Sequence, residues 1–199
     1  MTNTEANVVS CLKRRTVLTT ERRDQIVSAA LDLFEAGGPE ALTMRALADR
    51  VGIRAASVYR HFADKHAVEV AMIAAAFADQ AVAAEAAVTG ADRPLAAMGR
   101  VYRTWAIAHP HLYRLMTDRP LPRAELPEGL EMRAAAPLIG IFGGDVDRAR
   151  AAWAFAHGMT LLELAGRFPE AADLDAAWAA GSAALEPNHV VNHSVENRE

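Results

Sequence analysis

Cysteine is nearly absent from this chain, and long apolar runs are missing. Cys11 is the single cysteine among 199 residues, which excludes an intramolecular disulfide and a cysteine-based metal cluster. No uncharged apolar stretch reaches the roughly 18 residues that a transmembrane helix needs. Residues 1–18 also lack the apolar core of a signal peptide. We therefore expect a cytoplasmic protein that neither spans nor binds a membrane.

Enzyme motifs are missing as well. The sequence contains no glycine-rich phosphate loop, no G-x-S-x-G and no H-E-x-x-H, and Cys11 has no partner for nucleophilic catalysis. Two histidine pairs, His109 with His111 and His189 with His193, lack the further ligands of a zinc site. We expect no catalytic residue, no cofactor and no metal, and therefore not an enzyme.

Signals for β-strands are scarce, and the composition favours helices. Hydrophobic residues make up 52% of the chain and charged residues 23%, which is typical of a globular protein. Alanine is abundant, and long windows show no β-branched alternation. The pattern predicts an all-α fold of about nine helices.

Charge is distributed unevenly along the chain. Residues 1–65 hold ten Lys and Arg against eight Asp and Glu, a net charge of +2. Residues 66–199 hold eleven against seventeen, a net charge of −6, and the two values add to the total of −4. A basic head on an acidic body indicates two different roles.

Helix start and stop signals divide the chain into four parts. We expect a flexible arm over residues 1–18, a three-helix domain over 19–65, a helical body over 66–185, and a frayed tail over 186–199. The first helix should run from about Thr20 to Ala36. A later helix should start after Asp145, and Pro169 should stop it near Phe168.

The informative segment lies between Leu42 and Phe62. Thr43 caps a helix, Gly52 supplies a tight turn, and a short helix follows from about Arg54 to His61. Inward-facing apolar residues would form a small core, listed as Leu47, Ala48, Val51, Ile53 and Val58. The outward face of the short helix then carries small, hydroxyl and basic side chains, which suits the major groove of DNA. A surface hairpin with a polar face is the alternative from the residues alone.

This segment resembles the TetR family of one-component transcriptional regulators. The resemblance covers about residues 20–70 and includes Leu33-Phe34-Glu35-Ala36-Gly37-Gly38, Leu42-Thr43-Met44-Arg45-Ala46-Leu47-Ala48, Val51-Gly52-Ile53, Ser57-Val58-Tyr59-Arg60-His61-Phe62 and Lys65. Further on, Trp153 and His157-Gly158 are similar to the WHG type of TetR C-terminal domain.

The resemblance implies DNA-binding roles for particular residues. Positions that match backbone contacts are Thr43, Ser57, Tyr59, His61 and Lys65. Positions that match base contacts are Arg45, Ala55 and Ala56. Arg54 can reach a guanine edge, and Arg60 is a phosphate candidate. The positive charge of Lys65 is unfavourable at a helix N-terminus, which favours an external anion such as phosphate.

The resemblance also implies partners for the body. A palindromic double-stranded operator would be bound by a homodimer that pairs through the last two helices. A small apolar or amphipathic ligand would contact aromatic and soft side chains, listed as Phe77, Tyr102, Trp105, His109, Tyr113, Met116, Trp153 and His157. Release from DNA by this ligand would make the protein a repressor. The alternatives are a regulator without a ligand, and a helical ligand-binding protein that has lost DNA binding.

Overall fold

The computed structural model describes the backbone of residues 3–187 and the side chains of residues 21–187. Over that range the chain is all α-helical, as predicted, with nine helices and no strand. They are α1 (Asn3–Ala41), α2 (Met44–Val51), α3 (Ala55–Tyr59), α4 (Lys65–Val88), α5 (Pro94–Ala108), α6 (Pro110–Thr117), α7 (Leu130–Ile141), α8 (Val146–Leu164) and α9 (Leu174–Leu185). The predicted frayed tail lies outside the described residues except for Glu186 and Pro187.

Helix α1 differs most from its prediction. It begins at Asn3 rather than near Thr20, because no glycine or proline interrupts the chain before Gly37. Most of the segment predicted as an arm is therefore helical. The predicted stop is a real break, since Gly38 leaves helical geometry with φ +67°.

Two other helices are shorter than predicted. Helix α8 ends at Leu164 rather than near Phe168, because Gly166 adopts φ +60° and its N–H bonds the carbonyl of Glu163. Helix α3 ends at Tyr59 rather than His61. A turn follows it, in which the N–H groups of His61 and Phe62 both donate to the carbonyl of Val58.

The chain forms two compact units. The first contains the described chain through Asp79 together with Ala108–Leu130. The second contains Gln80–Ile107 and the described chain from Glu131 onward. This division by packing differs from the predicted boundary at residue 65. The predicted domains are divisions by function and stay predictions.

The core of the first unit joins α1, α2, α3, α4 and α6. Its fully or almost fully buried side chains include Ile26, Ala30, Phe34, Leu42, Leu47, Ala48, Val58, Phe62, Val68, Met72, Leu112 and Tyr113. Full burial of each large apolar side chain contributes on the order of 1.5–3 kcal/mol. The predicted core positions Leu47, Ala48 and Val58 are confirmed, whereas Val51 and Ile53 are half-buried.

The second unit has a smaller apolar core. Leu95 of α5, Phe142 beyond α7, and Ala149 and Ala152 of α8 are buried together. Half-buried apolar side chains from α7 and α9 pack against them, among them Leu138 and Leu185. The guanidinium of Arg148 lies 4.9 Å from the ring centre of Phe142.

Helix α4 is long and apolar enough to cross a membrane, with a mean hydropathy of 1.5 over its most apolar window. The sequence did not lead us to expect this, because Asp79 and Gln80 interrupt the run. Val68, Met72 and Ile73 are buried in the structure. A core helix of a folded protein passes the same test of length and composition, and 39% of this window is buried inside the protein.

Candidate nucleic-acid interface

The turn between α2 and α3 is built by two residues that the sequence identified. The Thr43 hydroxyl accepts a 3.0 Å hydrogen bond from the N–H of Ala46 and caps α2. Gly52 adopts a left-handed conformation with φ +71°, which glycine enters without steric cost. The N–H of Ile53 then bonds the carbonyl of Ala48 at 2.9 Å. Helix α2 therefore ends sharply, and α3 leaves in a new direction.

Helix α3 has one buried anchor and an open outer side. Val58 is fully buried. The outward-predicted residues that are exposed are Arg54, Ala55, Tyr59 and Arg60, joined by Ala56. Ser57 and His61 are half-buried. Tyr59 is 54% exposed, which is high for an aromatic side chain in a folded domain.

Two of the predicted DNA contacts already bond each other. A guanidinium nitrogen of Arg60 donates to the Ser57 hydroxyl at 3.0 Å. Because this hydrogen bond is exposed to solvent, water can replace it at little free-energy cost. Arg60 and Ser57 can therefore turn toward an anion without leaving a buried polar group unsatisfied.

Lys65 at the start of α4 has partners within the protein. Its Nζ donates to the carbonyl of Pro39 at 2.6 Å and lies 3.9 Å from a carboxylate oxygen of Glu69. These contacts offset the unfavourable position of a cation at a helix N-terminus. The argument that this position favours an external phosphate is therefore weaker than the sequence suggested, although an ammonium has three donors.

Arg45 is exposed on α2, and Thr43 is exposed just before it. The structure thus brings all ten predicted DNA-contact residues into the first unit, on α2, α3, the adjoining turns and the first residue of α4. Asp64 caps α4 by accepting from the N–H of Ala67 at 2.8 Å. The cap fixes where α4 starts relative to α3.

Sequence reasoning missed Arg23 of α1. A guanidinium nitrogen of Arg23 donates to the carbonyl of His61 at 2.9 Å. The same guanidinium lies 4.1 Å from the ring centre of Phe62. The available signal was its spacing, since Arg23 stands three residues before buried Ile26 and shares that helix face.

Sequence reasoning also missed Glu35, which joins α1 to α6. Its carboxylate accepts from the N–H of Leu112 at 2.8 Å and from the N–H of His111 at 3.4 Å. These are N–H groups of the first turn of α6, where a negative charge is favourable. The ring of His111 also meets Phe34 edge-on at 6.4 Å. Helix α1 of the three-helix head (α1 to α3) is thus hydrogen-bonded directly to the N-terminus of α6.

The predicted ligand residues fall in both units. Four belong to the first unit, namely Phe77, His109, Tyr113 and Met116, and four to the second, namely Tyr102, Trp105, Trp153 and His157. Tyr113 is only 2% exposed and belongs to the core. Trp153 is 49% exposed, and its ring stacks on His157 with 5.5 Å between ring centres.

Helices α8 and α9 pack against each other in the second unit. The rings of Phe155 and Trp178 meet edge-on with centres 5.6 Å apart. A cavity of ≈ 20 Å³ lies beside them, lined by side chains of α5, α8 and α9. That volume holds about one water molecule, so this cavity is not a site for a drug-sized ligand.

Arg103 of α5 connects to both of these helices. Its guanidinium forms a paired contact with the Glu163 carboxylate at 2.7 and 2.8 Å, and bonds Asp175 at 2.5 Å. The hydrogen bond to Glu163 is the main cause that raises the pKa of Arg103. Because the group is protonated anyway, the shift indicates a strong pairing rather than a titration.

Metal binding has no support among the residues that the structure describes. Residues 21–187 contain no group of three His, Cys, Asp or Glu side chains arranged to hold an ion. The pair His189 and His193 and the side chain of Cys11 lie outside the described side chains.

Two family models match this chain. Residues 26–72 match the family described as bacterial regulatory proteins, tetR family. Residues 95–185 match the tetracyclin repressor-like, C-terminal domain. The first match contains all the DNA-contact residues that the sequence predicted, and the second runs from Leu95 of α5 to the end of α9. The WHG type of C-terminal domain stays a prediction.

Individual relatives agree with these matches. An uncharacterized HTH-type transcriptional regulator, Rv0681, from Mycobacterium tuberculosis is 30% identical over 154 residues, which is 72% of this chain and 71% of the relative. The solved structure of a regulatory protein, SCO4313, is 27% identical with a TM-score of 0.67 over 85% of this chain and 97% of that one. The multidrug binding protein EbrR, complexed with imidazole, is similar in fold at 23% identity, with a TM-score of 0.64 over 84% of this chain and 90% of that one.

The chain belongs to the TetR family of transcriptional regulators. It has the N-terminal helix-turn-helix and the helical C-terminal domain of that family. The family is a class of DNA-binding regulators and not a class of enzymes.

Proposed function

We propose that this protein is a homodimeric repressor that binds a palindromic operator and is released by a small ligand held in its C-terminal domain. The observation that carries the proposal is the outer side of α3. Val58 anchors this helix in the core, while Arg54, Tyr59 and Arg60 stay exposed. A helix whose outer side carries small side chains, cations and a hydroxyl suits insertion into the major groove of DNA.

The DNA contacts divide by chemistry. Contacts to phosphates would set the register of the protein on the duplex. The residues proposed for them are Thr43, Ser57, Tyr59, His61 and Lys65. Arg54 is the candidate for direct readout, because a guanidinium pairs with O6 and N7 of guanine. Ala55 and Ala56 leave room for the backbone to approach and can touch thymine methyl groups. Arg45 would meet base edges from α2, and Arg60 a further phosphate.

Dimerisation through α8 and α9 would place two heads on one operator. Val146 and Trp153 are exposed apolar residues two turns apart on α8, so they share a helix face. Helix α9 exposes Ala176, Ala180 and Ala183, and small side chains permit close helix approach. A two-fold dimer would hold the heads about 34–36 Å apart, or a multiple of that distance, to reach successive major grooves.

The dimer proposal has a direct test in solution. Trp153→Glu would place a charge in the interface and should convert the dimer to monomer in sedimentation analysis. Met132→Glu is the matched control, because Met132 is 62% exposed on α7 and lies outside both pairing helices. Equal sedimentation of Trp153→Glu and the unmodified protein would contradict pairing through this face.

A small ligand is supported by side chains and by one relative. The predicted ligand residues are mostly aromatic, and EbrR is described as a multidrug binding protein. A regulator without a ligand is the second candidate. The observation that favours it is Tyr113, which at 2% exposure is packed as core rather than open to a ligand.

Release from DNA would pass through the helices that touch the head. A ligand that favours one orientation of α4 or α6 would move the head through Lys65 and Pro39, or through Glu35 and the α6 N-terminus. Differential binding of about 1–3 kcal/mol between the two orientations would be enough for a typical switch. We place the protein in the cytoplasm, where the operator is.

Selection of genomic fragments by the purified protein tests the DNA-binding function. We expect a short palindromic site, and affinity for it should fall steeply as salt rises. Tyr59→Ala should weaken binding on the order of tenfold without changing the dimer. Arg119→Ala is a control for charge changes outside the helix-turn-helix. Selection of no site, with or without cell extract, would contradict the proposal.

A further inference from the structure

Helix α3 cannot hold its own orientation. It has only five residues, and helices shorter than about 12–15 residues are marginal by themselves. Its N-cap residue, Arg54, makes no side-chain capping bond. The direction of α3 therefore depends on contacts from other elements.

Two buried side chains supply part of that support. Val58 is fully buried and Phe62 is 1% exposed. Both side chains make apolar contacts. These contacts hold α3 against the core, but they form no hydrogen bond to its backbone. The carbonyl of His61 lies in the turn just beyond the end of α3, and as a backbone acceptor outside the helix it needs a donor from elsewhere.

Arg23 supplies that donor from α1. Its guanidinium donates to the His61 carbonyl at 2.9 Å and stands 4.1 Å from the ring centre of Phe62. The Arg23 guanidinium thus contacts the backbone carbonyl of His61 and the buried ring of the next residue, Phe62. A guanidinium can do both because it stacks with its face and donates with its edge, whereas an ammonium cannot.

We propose that Arg23 is a positioning residue that holds the C-terminal end of α3 in the orientation at which Tyr59 and His61 meet the operator. The proposal deepens the proposed DNA-binding function and rests on it. Arg23 acts here through the backbone of His61 and the ring of Phe62. It differs in this from the phosphate contacts, which act directly on DNA.

The first experiment needs no DNA. Amide hydrogen exchange of His61 and Phe62 reports on the turn after α3, since both N–H groups bond the Val58 carbonyl at 2.9 and 3.0 Å. We expect Arg23→Met to speed this exchange about tenfold, because a charged hydrogen bond and an exposed cation–π contact are lost. Arg22→Met is the matched control, since it removes the same charge from an exposed neighbour and should leave the exchange unchanged.

The second experiment measures affinity for the selected operator across a salt series. Arg23→Met should bind about tenfold more weakly, in proportion to its faster exchange. The slope of log affinity against log salt should stay unchanged, because no phosphate contact is lost. Arg23→Lys should recover part of the affinity, and circular dichroism should show an unchanged helix content.

Each outcome separates this inference from the proposed function. A salt slope reduced by about 0.9 would make Arg23 a direct phosphate contact and overturn the positioning role. Equal losses of affinity in Arg22→Met and Arg23→Met would mean that the lost positive charge alone causes the effect. That result would also overturn the positioning role. Unchanged exchange in Arg23→Met would also contradict the inference. If the unmodified protein selects no DNA, the proposed function fails. Faster amide exchange in Arg23→Met would then still show that Arg23 stabilises the turn after α3.

Discussion

The carboxylate of Glu35 caps α6 at the N–H of Leu112, with 2.8 Å between the oxygen and the nitrogen. Glu35 lies on α1 and Leu112 in the first turn of α6, so one side chain ties the head to a helix far away in sequence. The first turn of α6 has no side-chain cap of its own, because its N-cap residue, His109, makes no capping bond. A distant glutamate therefore does the work that a local Ser, Thr or Asp does in other helices.

Removing this cap should destabilise the protein. We expect Glu35→Ala to cost about 1 kcal/mol, or roughly 2–4 °C in melting temperature for a chain of this size. Thermal unfolding followed by circular dichroism measures the change. Glu40→Ala, which removes an exposed glutamate near the end of α1, should change the melting temperature little. Equal effects of the two substitutions would mean that the Glu35 cap adds nothing beyond charge.

Gly181 permits the close packing of α8 against α9. A Cβ atom built at this position would overlap the ring of Phe155, so the ring would have to move. We expect Gly181→Ala to lower the free energy of unfolding by about 1–3 kcal/mol. In Gly140→Ala the methyl group meets no atom within 4 Å, and a gain of about 0.5 kcal/mol is expected.

Denaturant unfolding measures both variants. Adding Phe155→Leu to Gly181→Ala shortens the obstructing side chain and should recover part of the loss. A stabilising effect of Gly181→Ala would show that α8 and α9 separate more easily than their geometry implies.

Replacing Arg103 alone should lower the free energy of unfolding, whereas replacing it together with its partner Glu163 should change that free energy little. The side chains of Arg103 and Glu163 are 21% and 16% exposed, so Arg103→Met leaves a mostly buried carboxylate unpaired. We expect a loss of about 2 kcal/mol, below the value for a fully buried pair because both groups keep some water. The double variant Arg103→Met with Glu163→Leu should be close to neutral.

A double-mutant cycle by denaturant unfolding checks the coupling between these two residues. Asp175→Asn is the control, because Asp175 is 89% exposed and bonds the same guanidinium, so it should cost little. Additive losses in the cycle would exclude a direct interaction between Arg103 and Glu163 as the source of stability.

His66 should titrate above its usual range. Its Nε2 lies 2.9 Å from a carboxylate oxygen of Glu125, and the hydrogen bond to this group raises the pKa of His66 from 6.5. A raised pKa means that the pair stabilises the folded state below pH 6.5, and that this contribution is lost as the pH rises through the folded-state pKa. The effect on stability should be small because both side chains are more than half exposed.

An NMR titration of the His66 ring checks this prediction. Glu125→Ala should bring the pKa of His66 back toward 6.5, whereas Glu128→Ala, which removes an exposed neighbouring carboxylate, should leave the pKa raised. An identical titration curve in Glu125→Ala would exclude the ion pair as the cause.

Patterns local in sequence were predicted correctly. Thr43 as a cap and Gly52 as a left-handed turn are both confirmed. Each of these features depends on a residue's own backbone preference or on a bond to a residue three positions away. The boundary errors have the same local origin, because no rule marked Asn3 as a helix start or ranked Gly166 above Pro169 as a stop.

The sequence by itself determined the all-α class, the helix-turn-helix and the resemblance that the family models support. Periodicity, capping residues and glycine positions are enough for these, since they act within one or two helical turns. Only the tertiary structure decided that Arg23 grips the turn after α3, that Glu35 caps α6 and that Arg103 joins α5 to α8 and α9. These contacts link residues 38, 77 and 60 positions apart, and no spacing rule reaches across such a distance because the packing of intervening helices sets which side chains meet.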